Sequence, residues 1–171
     1  LNGFTLSVKP DTTFLFSSAT ASPNGALKST AAGGAITRSG VAGTLTMTIE
    51  EGQIDVTILA FSYADASGFN IAPATGQNGV RVLNLDNAAF TNGTTRHMSI
   101  DDGPGLVLTD ATWSGCSFDN PGGVNNIRTL DNSTQNTTPT TTITMLNATG
   151  AGQGEGNDDD VGTNRIAVDW L

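Results

Sequence analysis

The chain has 171 residues and a net charge of −9, because 16 acidic side chains outnumber 7 basic ones. Such a surface repels phosphate backbones and anionic lipid headgroups, which argues against nucleic-acid partners and membrane insertion. Threonine, glycine and asparagine are abundant, and no stretch has the 3.6-residue periodicity of an amphipathic helix. We therefore predict one all-β domain over residues 1–171, with an extracellular or cell-surface location.

Short apolar or alternating segments that stop at Gly, Asn, Asp or Pro predict strands along the whole chain. In chain order the predicted strands are 3–8, 12–16, 43–50, 53–64, 80–86, 96–100, 105–113, 126–131, 140–146 and 165–171. Two tracts, 17–35 and 147–164, are rich in small or acidic residues and are predicted as loops. Because both ends of the sequence read as apolar strands, we expect a fragment or processed part of a larger protein.

A repeated pattern indicates how the strands are arranged. The sequence LDNAAF at 85–90 is followed by LTDATW at 108–113 and LDNST at 130–134. A period in the low twenties with an Asx-containing corner is typical of a parallel β-solenoid. This spacing predicts an interior row formed by Leu85, Leu108 and Leu130. Asn87 and Asn132 are predicted to form a ladder at the corner, since asparagine tolerates left-handed backbone.

The segments LNLDNAAFTN (83–92) and LVLTDATWSGCSFDN (106–120) resemble coils of right-handed parallel β-helix proteins. This group includes the pectate-lyase-like superfamily and other secreted or surface β-helix proteins. The resemblance covers roughly residues 54–146 and implies the fold far more than an activity. A β-sandwich or jelly roll is the alternative, because threonine-rich strands with Gly and Asn turns also suit it.

One group of residues suggests catalysis. His97, the only histidine, lies shortly before Asp101 and Asp102 in the sequence. The hydrolase branch of the resemblance implies clustered acids with a nearby histidine, so these three residues would serve acid–base hydrolysis of a polysaccharide. The lyase branch implies Ca²⁺-binding acids facing a basic residue, for which Arg96 and Arg128 are available. The competing interpretation is that Asp101 and Asp102 simply open a turn.

A second group of residues suggests ligand binding. Tyr63 and Trp113 are interpreted as exposed aromatic side chains on the coil faces, with Asp102 as a polar neighbour. Aromatic rings and carboxylates of this kind contact sugars. Cys116 is interpreted as a small buried side chain, because a single cysteine cannot form an internal disulfide.

The acidic tract near the C-terminal end is a candidate Ca²⁺ site. Its hard oxygen ligands are Glu155, Asp158, Asp159 and Asp160. Their spacing differs from that of an EF-hand loop, and a solvated acidic loop is the alternative. Apart from this Ca²⁺, the sequence predicts no cofactor.

These observations predict a non-enzymatic structural or adhesive β-helix module of a secreted or cell-surface protein. The expected partner is a carbohydrate or another cell-surface polymer. The alternatives are a polysaccharide-degrading hydrolase or lyase domain and an extracellular filament subunit. Such a subunit would assemble by self-association through the terminal strands at 3–8 or 165–171.

Overall fold

The computed structural model describes residues 4–8, 12–16, 26–29, 33–39, 42–74, 79–103, 105–119, 126–130, 141–159 and 166–171. These residues form strands β1 to β18 and one short 3-10 turn, η1 (Glu155–Asn157). No helix among them is long and apolar enough to cross a membrane.

The strands form four sheets. Sheet A contains β1 (Phe4–Val8), β4 (Gly34–Arg38), β7 (Leu59–Ser62), β10 (Ala88–Thr91) and β14 (Ser117–Phe118). Sheet B contains β2 (Thr12–Phe16), β5 (Leu45–Ile49), β8 (Ala64–Ile71), β11 (Met98–Asp101), β15 (Ile127–Leu130) and β17 (Asp158–Asp159). Sheet C contains β3 (Ala26–Ser29), β6 (Gly52–Val56), β9 (Val80–Leu85) and β12 (Val107–Leu108). Sheet D contains β13 (Thr112–Ser114), β16 (Thr141–Leu146) and β18 (Ile166–Trp170).

The chain winds through these sheets as a solenoid. Consecutive strands visit sheets A, B and C in turn, and sheet D replaces sheet C in the later coils. Each strand pairs in parallel with its counterpart one coil away, as Phe61 does with Phe90. This all-parallel topology fits a right-handed parallel β-helix and confirms the predicted all-β solenoid. The sandwich alternative, which needs antiparallel pairs, does not describe these strands.

Apolar side chains stacked in columns fill the interior. Sheet A contributes the column Ile36, Phe61, Phe90 and Phe118. Sheet B contributes Met47, Phe69, Met98 and Ile127. All eight of these side chains are at most 1% exposed, so burial of each stabilises the fold by roughly 1.5–3 kcal/mol.

The predicted interior row of leucines is wrong in register. Leu108 pairs with Val82, and Leu130 pairs with Asp101 in a different sheet. The row that does form contains Phe61, Phe90 and Phe118, at steps of 29 and 28 residues. The similar residues of the apparent repeat therefore lie on different faces of the solenoid.

Asn87 occupies a coil corner, as the sequence predicts. Its φ is 48°, and its side-chain Nδ2 donates to the Thr57 carbonyl of the preceding coil at 3.2 Å. This bond along the stack is the predicted role of asparagine at a corner. Asn132, the other predicted member of the ladder, lies outside the described residues.

The strand predictions fail mainly where coils turn without glycine or proline. Segment 53–64 is divided among β6, β7 and the first residue of β8, and β6 and β7 meet at a corner containing Thr57 and Ile58. Segment 105–113 is likewise divided between β12 and β13. The predicted loop at 17–35 contains β3 and the start of β4, and the one at 147–164 contains η1 and β17. Short strands in small-residue tracts carry too little apolar signal to be recognised.

Candidate functional site

Tyr63 lies at the corner between β7 and β8 and is partly exposed. The guanidinium carbon of Arg38 lies 4.0 Å from the centroid of its ring, in the geometry of a cation–π contact. The backbone of Tyr63 is fixed by both neighbouring coils. Its N–H donates to the Thr91 carbonyl at 3.0 Å, and its carbonyl accepts from the Leu45 N–H at 2.8 Å. These two backbone hydrogen bonds therefore hold the residue that carries the ring in a fixed position.

The outward face of sheet A beside Tyr63 consists of small side chains. They alternate with the buried column, and parallel pairing aligns Ala35, Ala60, Ala89 and Ser117 across four coils. A second row carries the hydroxyls of Thr37, Ser62 and Thr91. Ser62 Oγ donates to Thr37 Oγ1 at 2.8 Å. Neighbouring strands repeat at about 4.8 Å, so each coil adds a small side chain and a hydroxyl to the face at that step.

Tyr63 has a φ of 63°, a left-handed conformation that bulky residues rarely adopt. The same corner of the next coil is occupied by Asn92, with a φ of 56°. Left-handed backbone costs a residue with a large side chain about 1–2 kcal/mol, and asparagine tolerates it better. The corner of this coil therefore places an aromatic ring where an asparagine would suit the backbone.

We expect Tyr63→Asn to be about 1 kcal/mol more stable than Tyr63→Ala in urea unfolding. Both variants lose the ring and its contact with Arg38, but only asparagine relieves the strain of the left-handed corner. Equal stability of the two variants would mean that the corner is not strained.

The structure places His97 and the two acids Asp101 and Asp102 at opposite ends of β11, and catalysis by these residues stays a prediction. His97 precedes β11 and is 1% exposed, whereas the two acids lie at the far end of the strand. Five residues of extended chain separate His97 from Asp102 by roughly 16 Å. His97 Nε2 instead lies 2.6 Å from Oδ1 of Asp119.

Asp119 is a partner that sequence reasoning missed. The signal that would have found it is the 28-residue step from Phe90 to Phe118, which brings Asp119 beside Asn92. Oδ2 of Asp119 accepts the Asn92 N–H at 2.8 Å. His97 and Asp119 are 22 residues apart, and their contact joins the residue before β11 of sheet B to the residue after β14 of sheet A.

The predicted ligand-binding residues do not form one site. The prediction that Trp113 is exposed is wrong, because its side chain is fully buried and its Nε1 donates to the Asp110 carbonyl at 3.1 Å. Asp102 is 7% exposed and follows β11, whereas Tyr63 precedes β8 at the opposite end of sheet B. Of the three, Tyr63 remains as a candidate contact residue.

The acids of the predicted Ca²⁺ site contact different protein groups. Glu155 Oε1 accepts the Trp170 backbone N–H at 3.1 Å, and the Asp158 carboxylate accepts the indole N–H of the same tryptophan. Asp159 pairs with Arg128 at 3.6 Å. Within the described ranges, no three acids, histidines or cysteines are grouped closely enough to hold a metal ion. Asp160 lies outside those ranges, and Ca²⁺ binding by this tract stays a prediction.

Cys116 is a buried structural residue, as predicted. Its side chain is fully buried, and its Sγ–H donates to the Leu85 carbonyl at 3.2 Å. Burial raises the pKa of the thiol to about 11, so the reactive thiolate is scarce at neutral pH.

No family model, curated protein or solved structure matches the chain. The strand topology by itself therefore carries the assignment to the β-solenoid class. Membership of the pectate-lyase-like superfamily, which the sequence resemblance implies, stays a prediction.

Proposed function

We propose that this protein is a non-enzymatic, extracellular structural or adhesive module of a secreted or cell-surface protein, and that it binds a neutral carbohydrate polymer. The observation that carries the proposal is the outer face of small side chains on sheet A with the Tyr63 ring fixed at its edge. The net charge of −9 favours a neutral polymer over a polyanion.

The regular outer face of sheet A suits an extended polymer. A tyrosine ring offers a sugar an apolar surface together with a polar end. The row of Thr37, Ser62 and Thr91 supplies hydroxyls that both donate and accept hydrogen bonds. The small side chains of the neighbouring row, such as Ala60 and Ala89, let a flat chain approach the sheet closely. Arg38 acts as a positioning residue, because its contact holds the ring in place.

The test is binding of the purified protein to a panel of neutral and acidic polysaccharides, by array and by affinity electrophoresis. We expect the protein to retard on neutral polymers, and Tyr63→Asn to weaken that binding at least about ten-fold, the equivalent of 1.4 kcal/mol. The control is Val107→Ala, because Val107 is 44% exposed on the remote sheet C. Its binding should match that of the unmodified protein.

Three outcomes would contradict the proposal in different ways. Failure to bind any polysaccharide removes the carbohydrate function. Full binding by Tyr63→Asn removes the site but keeps the function. Conversion of a polysaccharide to shorter products would favour the hydrolase or lyase alternative.

The filament alternative has one observation in its favour. Among the described strands, β1 is the outermost strand of sheet A and β18 the outermost strand of sheet D. An exposed strand edge can pair with another chain. Apparent mass that grows with protein concentration, and that no longer grows after removal of residues 165–171, would support assembly. A monomer at widely separated concentrations would exclude it.

A further inference from the structure

We infer that Asn92, His97 and Asp119 form an acid-sensitive latch between two successive coils of the solenoid. The latch lies at the corner where sheet A leads into sheet B, one coil after the corner that holds Tyr63. This inference is independent of the ligand and concerns how tightly neighbouring coils are held together.

The carboxylate of Asp119 joins the two coils. One oxygen, Oδ1, lies 2.6 Å from His97 Nε2, and the other, Oδ2, accepts the Asn92 N–H at 2.8 Å. The Asp119 carbonyl lies 3.2 Å from the same Nε2. Because two oxygens face this nitrogen, it carries the proton. A neutral imidazole thus satisfies the latch without a net positive charge.

His97 also belongs to the backbone ladder of three coils. Its carbonyl accepts the Phe69 N–H at 2.7 Å, and its own N–H donates to the Asn126 carbonyl at 2.8 Å. Gly93 packs against the ring so closely that an added Cβ would lie 3.0 Å from Nδ1. A movement of His97 is therefore transmitted to both neighbouring coils.

The surroundings of the imidazole favour its neutral form. Phe90 and Phe118 pack beside it, with ring centroids 6.3 and 6.2 Å away. Burial lowers the pKa of His97, whereas Asp119 acts in the opposite direction and only partly offsets the effect. The elements that supply Phe69, Phe90 and Phe118 place no charged group on the ring. Within the described part of the chain, Asp119 is the titratable side chain that faces it.

The charged residues next to this corner belong to a separate group. Arg96 precedes His97, but its electrostatic neighbours are Arg128 and Asp159. Arg128 and Asp159 pair with each other at 3.6 Å, with side chains that are 41% and 37% exposed. Neither of them is among the causes that shift the pKa of His97, which are burial and the contact with Asp119.

The direction of the response follows from proton linkage. When the pKa of a histidine is lower in the folded than in the unfolded protein, the unfolded chain binds more protons in acid. The latch therefore has its full strength above the ordinary histidine pKa of about 6.5 and weakens as the pH falls below it. The second proton places a positive charge beside two phenylalanine rings at a buried position, and this weakens the latch.

The experiment combines NMR titration with amide hydrogen exchange between pH 7.5 and pH 5. His97 is the only histidine, so its ring signal is identified without mutagenesis. We expect it to titrate below its ordinary range. Over the same pH interval the Asn92 and Phe69 amides should exchange severalfold faster, after correction for intrinsic rates. Amides of β9 in sheet C should keep their protection and serve as the internal control.

The matched variant is His97→Gln, which keeps a side-chain N–H donor for Asp119 but does not titrate in this interval. Its Asn92 and Phe69 amides should show no acid acceleration. A ring signal that titrates at or above the ordinary range would overturn the latch, as would equal acceleration in the variant. If the variant does not fold, the titration and exchange of the unmodified protein still decide the matter.

Discussion

Phe90→Ala is expected to lower the free energy of unfolding by about 3–5 kcal/mol, measured by urea denaturation. Phe90 is fully buried, and its ring stacks on Phe118 with centroids 5.2 Å apart and planes within 5° of parallel. It also makes edge contacts with Phe61 and Phe69 at 6.3 and 6.1 Å. Truncation thus removes one ring and leaves a cavity in the aromatic column between two coils. Since domains are stable by roughly 5–15 kcal/mol, this one truncation would remove a large share of a typical domain's stability.

Two controls test whether this loss comes from the column. Phe90→Leu keeps part of the apolar volume and should cost clearly less than alanine. Val107→Ala removes apolar atoms from a side chain that is 44% exposed, and should change stability by no more than about 0.5 kcal/mol. A loss below about 1 kcal/mol for Phe90→Ala would show that neighbouring rings collapse into the space.

Gly79→Ala is expected to destabilise the protein by about 3 kcal/mol, through two separate effects. Its φ is 83°, so any side chain strains the backbone. An added Cβ would also lie 2.1 Å from the carbonyl oxygen of Gly105 in the next coil. Because that contact is with backbone, relief requires the two coils to move apart. Thermal and urea unfolding of the variant would measure the combined loss.

Two other glycines separate these effects. Gly154 also has a positive φ, 98°, but a Cβ there meets no atom within 4 Å, so alanine should cost only the strain of about 1–3 kcal/mol. Gly156 has open space as well and no positive φ. Alanine at Gly156 should leave stability unchanged within about 0.5 kcal/mol. If Gly79→Ala were no worse than Gly154→Ala, close packing between coils would not be the reason for the glycine.

The all-β fold was predictable because the alternation of apolar and polar residues along each strand is visible in a short stretch of sequence. The segment LTMTI of β5 alternates apolar and polar residues, and its burial alternates in the same way. Burial of Trp113 carried a similar signal, since polar Thr112 and Ser114 flank it and point outward. The mistaken view of Trp113 as exposed came from reading an aromatic residue as a binding residue instead of following this alternation.

The register of the coils was not predictable because coil length varies. Paired residues are 25 positions apart between Ala35 and Ala60 but 33 apart between Thr12 and Leu45. A fixed period therefore loses the alignment within one or two coils. The contact between His97 and Asp119 joins the end of a strand in sheet A to the start of a strand in sheet B, so patterns within single strands did not reveal it. Tyr63 was proposed as a contact residue because an isolated aromatic residue near a strand end is a local signal.

The parallel pairing of each strand with its counterparts in adjacent coils has a consequence for how the protein can change over evolution. An inner coil interacts with the coil before it and the coil after it, so the energetics approach those of a one-dimensional chain of units. Duplicating or deleting one whole coil would leave the other interfaces unchanged. The length of the outer face would then grow or shrink in steps of about 4.8 Å. The length of the outer face can therefore change without any change to the side chains that pack in the interior.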